Sequence, residues 1–179
     1  AVELFTPCPD MINKEGVSAI SDEAGKLLFY SRGNDVYNAE HDVMANGSEI
    51  FGSYSSTQSS VVVPQPGNPN LYYLFTVYHR GEGMFAYSKI DMTLGDGRGA
   101  VTERGVSLGF NAEEKMAAVR HAYNDAYWVV TRGYKTNEFR LFLVDESGLA
   151  VLPDSISKQT LGAKEPGNMG QGQGSLCFS

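Results

Sequence analysis

The sequence predicts an all-β fold built from repeated antiparallel units, and three observations carry that prediction. Apolar and polar residues alternate at the two-residue period of a strand in Met84-Phe85-Ala86-Tyr87-Ser88-Lys89-Ile90 and in Arg140-Leu141-Phe142-Leu143-Val144. Twenty glycines and seven prolines, set among ten Tyr and nine Phe, cut the 179-residue chain into short aromatic-rich runs. Finally, three stretches are similar to one another at a regular spacing, and a fourth begins near the C-terminus.

These self-similar stretches supply the first strand of each unit: Glu15 to Ser21, Gln58 to Pro64 and Lys115 to His121, with the fourth opening at Gln173. Each ends at a turn rich in chain breakers, Asp22-Glu23-Ala24-Gly25, Pro66-Gly67-Asn68-Pro69-Asn70 and Tyr123-Asn124-Asp125. Second strands follow at Leu27 to Ser31, Leu71 to Val77 and Ala126 to Thr131. Third strands follow at Asp35 to Asn38, Met84 to Asp91 and Phe139 to Asp145. Weaker fourth strands are expected near Glu49 to Tyr54, Ala100 to Leu108 and Ala150 to Gln159. The segment from Asn111 also fits a capped helix, with Asn at the N-cap, Glu at the third position and Met116, Val119 and Tyr123 on one face. Alignment with the other two repeats places a strand there instead.

Four strands per repeat, at roughly 40–50 residues or slightly more, is the pattern of a β-propeller blade of the WD40-like kind. The blades are expected at residues 15–57, 58–114 and 115–172, with the next beginning at 173. One such sheet cannot bury both faces alone, so it stacks on its neighbours. Three blades and a fraction do not make a ring of four to eight. The remaining blades are therefore expected from the same longer chain or from another subunit.

Fourteen Lys and Arg against 21 Asp and Glu give a net charge of −7, which argues against a nucleic-acid surface. No apolar run approaches the ~18 residues of a membrane-spanning helix. Cys8 and Cys177 match no metal-ligand spacing. They are either a disulfide joining the two ends or two unrelated thiols, with Cys177 in an apolar setting suited to a small buried residue.

A longer similarity runs through Ile20-Ser21-Asp22, Gly25, Leu27-Leu28-Phe29-Tyr30-Ser31, Val36-Tyr37-Asn38, His41, Met44 and Asn46-Gly47. It continues through Ser55-Ser56-Thr57-Gln58-Ser59, Val62-Val63-Pro64, Pro66-Gly67, Asn70 and Tyr72-Tyr73-Leu74-Phe75-Thr76, and then Tyr87, Ile90-Asp91-Met92, Gly95-Asp96, Glu114-Lys115 and Trp128-Val129-Val130-Thr131. These residues resemble the propeller region of large bacterial surface proteins exported by type IX secretion, often with PKD domains and a gliding-motility-associated sorting domain. The resemblance implies a secreted or cell-surface location, with the periplasm as the alternative. It brings no catalytic residues.

Motifs for enzyme chemistry are missing: there is no Gly-x-Ser-x-Gly elbow, phosphate loop or His-Glu-x-x-His helix, and no cofactor is expected. His41, His79 and His121 fall in different repeats and read as turn or core histidines. Gly170-Gln171-Gly172-Gln173-Gly174 reads as a loop between blades. Asp91 and Asp96 are the one calcium candidate, but two carboxylates fall short of the 6–8 oxygens calcium takes, and an Asp-Gly hairpin turn explains them. Glu113 and Glu114 are adjacent, so in a strand they face opposite ways and cannot flank one bond. Tyr72, Tyr73, Tyr127 and Trp128 read as packing between blades, while Tyr78, Tyr123 and Tyr134 beside turns read as surface contacts.

First strands of propeller blades line the central channel. The alignment makes Glu15, Gln58, Lys115 and Gln173 equivalent there, with Asn13, Thr57 and Glu114 beside them. This polar ring is the expected binding site. The function expected is non-catalytic recognition or scaffolding, with a protein or glycan partner on the loop face. The alternatives are a propeller glycoside hydrolase or lyase, and a subunit of an envelope, secretion or motility assembly.

Overall fold

A computed structural model describes residues 14–79, 84–136, 138–158 and 175–178, with the backbone alone for 151–158. Strands β1 (Ser18–Ser21), β2 (Leu27–Ser31) and β3 (Val36–Asn38) form a three-stranded sheet. Strands β4 (Ser60–Pro64), β5 (Leu71–Thr76), β6 (Met84–Asp91), β7 (Ala100–Arg120), β8 (Tyr127–Gly133), β9 (Glu138–Asp145) and β10 (Gly148–Lys158) form a seven-stranded sheet in chain order. All neighbouring strands are antiparallel. The expected turns close the hairpins: Asp22 Oδ1 accepts the N–H groups of Ala24 and Lys26, while Gly25 takes φ of 81°.

The all-β architecture follows the sequence, but the described residues form an open arrangement of two sheets and not a closed ring of four-stranded blades. The cause is β7. Its residues 100–111 pair with β6 as the fourth strand of the second repeat, and its residues 112–120 pair with β8 as the first strand of the third. Gly105 and Gly109, at φ of 55° and 79°, sit where the register with β6 slips, so they form bulges within the strand. The segment from Asn111 is strand throughout, and the helical alternative is not adopted.

The fourth strand expected at Glu49 to Tyr54 does not form. Glu49 adopts φ of 51°, Ile50 donates its N–H to Asn34 O, and the Thr76 hydroxyl donates to Phe51 O, so the segment is held as coil across the first repeat. Nearby, Ala45 forms a parallel bridge to Ala100 of β7.

Burial explains how the repeats stack. On one face of the second repeat's strands, Tyr73, Phe75 and Phe85 pack with Val129, Phe142 and Val144 of the third repeat. On the other face, Tyr72, Leu74 and Ile90 pack with Phe29, Val36 and Ile50 of the first. The alternation of β5 thus sends successive residues into two different cores, and the strands of the second repeat are covered on both sides. Burial of each of these side chains contributes about 1.5–3 kcal/mol. Phe75, Phe85, Phe110 and Phe142 form a continuous ring cluster with centroids 5.5–6.5 Å apart.

Cys177, expected in a buried setting, is exposed, because the Ser175–Phe178 segment lies at the surface of the groove described below. Cys8, Asn13, the Gly170–Gly174 run and Gln173 lie outside the described residues.

Candidate functional site

The heads of the first strands of all three repeats meet. Gly16 donates its N–H to Ser56 O and accepts the Ser59 hydroxyl, and the Ser18 and Ser60 hydroxyls are 2.6 Å apart. Gln58 in turn donates its N–H to Glu114 O. The first junction requires glycine: a Cβ on Gly16 would lie 2.6 Å from Ser59 N and 2.7 Å from Thr57 O, both fixed backbone atoms.

Glu15, Thr57 and Glu114 come together as the alignment expected. Glu114 is fully buried, and its Oε2 accepts both the N–H (2.9 Å) and the hydroxyl (3.2 Å) of Thr57. Glu15 Oε2 lies 3.1 Å from the same hydroxyl. Thr57 has one hydroxyl proton and donates it to one carboxylate at a time. The two carboxylate oxygens are thereby held within about 6 Å of each other. Glu15 at the head of the first repeat thus meets Thr57 and Glu114, the residues that immediately precede the first strands of the second and third repeats.

Gln58 and Lys115 are placed differently. Gln58 Oε1 accepts the N–H groups of Met116 (3.0 Å) and Leu176 (2.8 Å), and its Nε2 donates to Leu176 O (3.1 Å). Its amide is thus consumed in holding Ser175–Phe178 beside β4 and β7, along a groove of ≈ 470 Å³ lined in part by Val61 and Ala118. Lys115 points to Glu113, whose Oε2 lies 3.4 Å from both Lys115 Nζ and Arg132 Nη1. The expected ring of equivalent polar residues is split: Glu15, Thr57 and Glu114 form one cluster, and Lys115 joins the half-exposed Arg132 around the buried Glu113 on the other face of β7. Glu113 and Glu114 do face opposite ways, as adjacent strand residues must.

A second cavity of ≈ 560 Å³ opens beside the carboxylates, with mostly polar walls. Glu15 and Glu114 line it together with Asn34, Tyr54, Tyr78 and His79. Tyr78 was legible as a surface aromatic beside a turn. Asn34 and Tyr54 were not, because Asn34 sits in the turn between β2 and β3 and Tyr54 in the coil that ends the first repeat, where no periodicity marks them. Lys14 Nζ and Arg32 Cζ lie 5.4 and 5.8 Å from the centre of the Tyr54 ring, and the Tyr78 and His79 rings are 4.6 Å apart. His79 Nδ1 pairs with the Ser53 hydroxyl at 3.0 Å, and that hydroxyl also accepts Ser55 N–H, which ties it into a turn.

The other candidates act locally. The Tyr30 hydroxyl meets His41 Nδ1 at 3.2 Å, and His121 Nδ1 accepts the N–H groups of Tyr123 and Asn124, so both are turn histidines. Asp91 Oδ1 accepts the N–H and hydroxyl of Thr93, and these bonds hold its carboxyl below the usual range. Asp96 sits at φ of 57° in a 3-10 turn, Gly95–Gly97. Among the described residues no group of three or more His, Cys, Asp or Glu is placed to hold a metal ion. Asp145 repeats the Asp91 arrangement with Ser147 at the end of β9, so the third strands of two repeats end in the same turn. Tyr72 and Tyr73 are buried and Tyr127 and Trp128 partly so, whereas Tyr123 is 94% exposed.

No family model, no curated protein and no solved structure matches the chain.

Proposed function

We propose that this chain is a non-catalytic recognition module. In this reading, stacked sheets of the β-propeller kind hold a polar cleft, at the heads of their first strands, for a protein or glycan partner. The observation that carries it is the meeting of Glu15, at the head of the first repeat, with Thr57 and Glu114, the residues that close the first and second repeats, at a cavity of ≈ 560 Å³ lined in part by Glu15 and Glu114. Packing of the second repeat's strands between the first and third repeats supports the propeller-like reading, in which sheets are rigid and the loops at one end make contacts. A place in an exported bacterial surface protein rests on the sequence resemblance alone.

One observation favours a second reading, a glycoside hydrolase: two carboxylate oxygens within about 6 Å of each other, near the range such enzymes use. Glu114 weighs against it, since its Oε2 already accepts two bonds from Thr57 and the residue is fully buried.

The test is a binding screen of the purified chain against arrayed glycans and purified surface proteins, run beside the Tyr54→Ala/Tyr78→Ala double variant. Binding without turnover, lost in the variant, is expected. A ligand bound equally by both would move the site elsewhere, and turnover of a glycan would replace recognition by hydrolysis.

A further inference from the structure

The cleft at the heads of the first strands has a chemistry that narrows its ligand, and we infer that it is a saccharide-binding site. This inference rests on the recognition reading and deepens it. Three features of the wall select the ligand class. First, the wall is rich in acceptors. Glu15 presents an exposed carboxylate, the buried Glu114 carboxylate bonded to Thr57 adds negative charge behind it, and Asn34, whose Nδ2 is bonded to Asp35, has a buried Oδ1 that accepts no hydrogen bond from any described residue. A ligand rich in O–H donors matches such a wall. Second, Tyr54 and Tyr78 are exposed aromatic rings at the same cleft, and ring surface of this kind packs on the C–H faces of a pyranose. Third, charge excludes the obvious rivals. Two carboxylates oppose a phosphate or nucleotide, and mostly polar walls give an apolar ligand nothing to desolvate against. Lys14 at the cleft already offsets part of the negative charge, so an uncharged polyol is favoured over an amine. The volume, ≈ 560 Å³, lies within the range of sites that enclose small ligands.

Saturation-transfer difference NMR on the full 179-residue chain tests this with the methyl glycosides of glucose, galactose, mannose and N-acetylglucosamine, and with tetramethylammonium as a cationic control. At least one glycoside is expected to bind. Tyr78→Ala and Glu15→Gln should each weaken it about fivefold or more, while Tyr123→Ala, on a remote turn, should leave it unchanged. Near-UV circular dichroism confirms that each variant is folded, and Tyr78→Phe serves as a milder substitute that keeps the ring. Binding of no glycoside, binding of the ammonium ion alone, or equal affinity in all variants overturns the saccharide site. If a purified surface protein nevertheless binds through Tyr54 and Tyr78, the recognition reading survives that failure. Release of methanol from a glycoside would support the saccharide site and overturn the non-catalytic reading instead.

Discussion

Replacing Phe142 by Ala tests whether the second and third repeats are one packed body. Phe142 is 2% exposed, and its ring centroid lies 5.5 Å from Phe85, 6.0 Å from Phe110 and 6.5 Å from Phe75. It comes from β9, while Phe75 and Phe85 come from β5 and β6, so truncation removes contacts within the third repeat and across to the second. Phe→Ala in a core costs about 3–5 kcal/mol, from lost transfer energy plus the cavity left behind. Taking about 4 kcal/mol, the unfolding constant rises by roughly three powers of ten. With a urea slope of about 2 kcal/mol/M, the midpoint moves down by about 2 M. Two probes should be followed together: Trp128 fluorescence, which reports β8, and far-UV circular dichroism, which reports all the sheets. The expected result is one shared transition at lower urea. Phe142→Leu, which leaves a smaller cavity, should give a smaller shift in the same direction and keeps the test readable if the alanine variant does not fold. A shift worth less than about 1 kcal/mol, or separate transitions for the two probes, would refute the shared core.

Other outcomes follow from the same contacts. Gly16→Ala drives a Cβ into two backbone atoms and should lower stability by about 1–3 kcal/mol, read by the urea midpoint; a neutral result would mean the two strand heads are further apart than described. Gln58→Ala removes three hydrogen bonds to Met116 and Leu176, costs about 1–3 kcal/mol, and should speed thiol labelling of Cys177, two bonds of the three being to its neighbour. An unchanged labelling rate would count against the latch. Burial, reinforced by the hydrogen bond and charge of Glu103, pushes the Tyr87 hydroxyl up to about 12 from the ordinary 10. The folded state then holds its proton where the unfolded chain has lost it. The contribution of Tyr87 to stability is fully present below pH 10 and is lost as pH rises from 10 to about 12. Absorbance at 295 nm should show a late-titrating tyrosine that Tyr87→Phe removes.

Much of the fold is written in the two-residue alternation, and the exceptions have physical causes. Strands β2 and β6 coincide with their expected runs because breakers flank them and their apolar residues go to defined faces. Strand β7 could not be read as one element. In the sequence one strand ends near Leu108 and the next begins at Lys115, and only the ladder shows that Gly105 and Gly109 bulge within one continuous strand. The fourth strand of the first repeat was read from a weak run in which Glu49 takes a left-handed conformation. At the site, repeat alignment brought Glu15, Thr57 and Glu114 together but misplaced Lys115. The pairing of β7 with β8 slips between Ala112 and Met116, and a slip of register changes which face a side chain takes. The unbonded Oδ1 of Asn34 and the ring of Tyr54 left no sequence signal, since coil residues carry no period.

Strand β7 also means that the repeat in the sequence and the unit in space have different boundaries. A cut at the junction of the second and third repeats, near residues 114–115, falls within a single 21-residue strand that both neighbours need for their ladders. Fragments made there would each carry a torn edge of unpaired backbone, prone to join with other chains. Permutation or dissection of this chain is better tolerated at the exposed hairpins, at residues 22–25 or 122–125, where backbone is already turned to solvent and no ladder is severed. Duplication by whole repeats would likewise have to preserve the strand across each join.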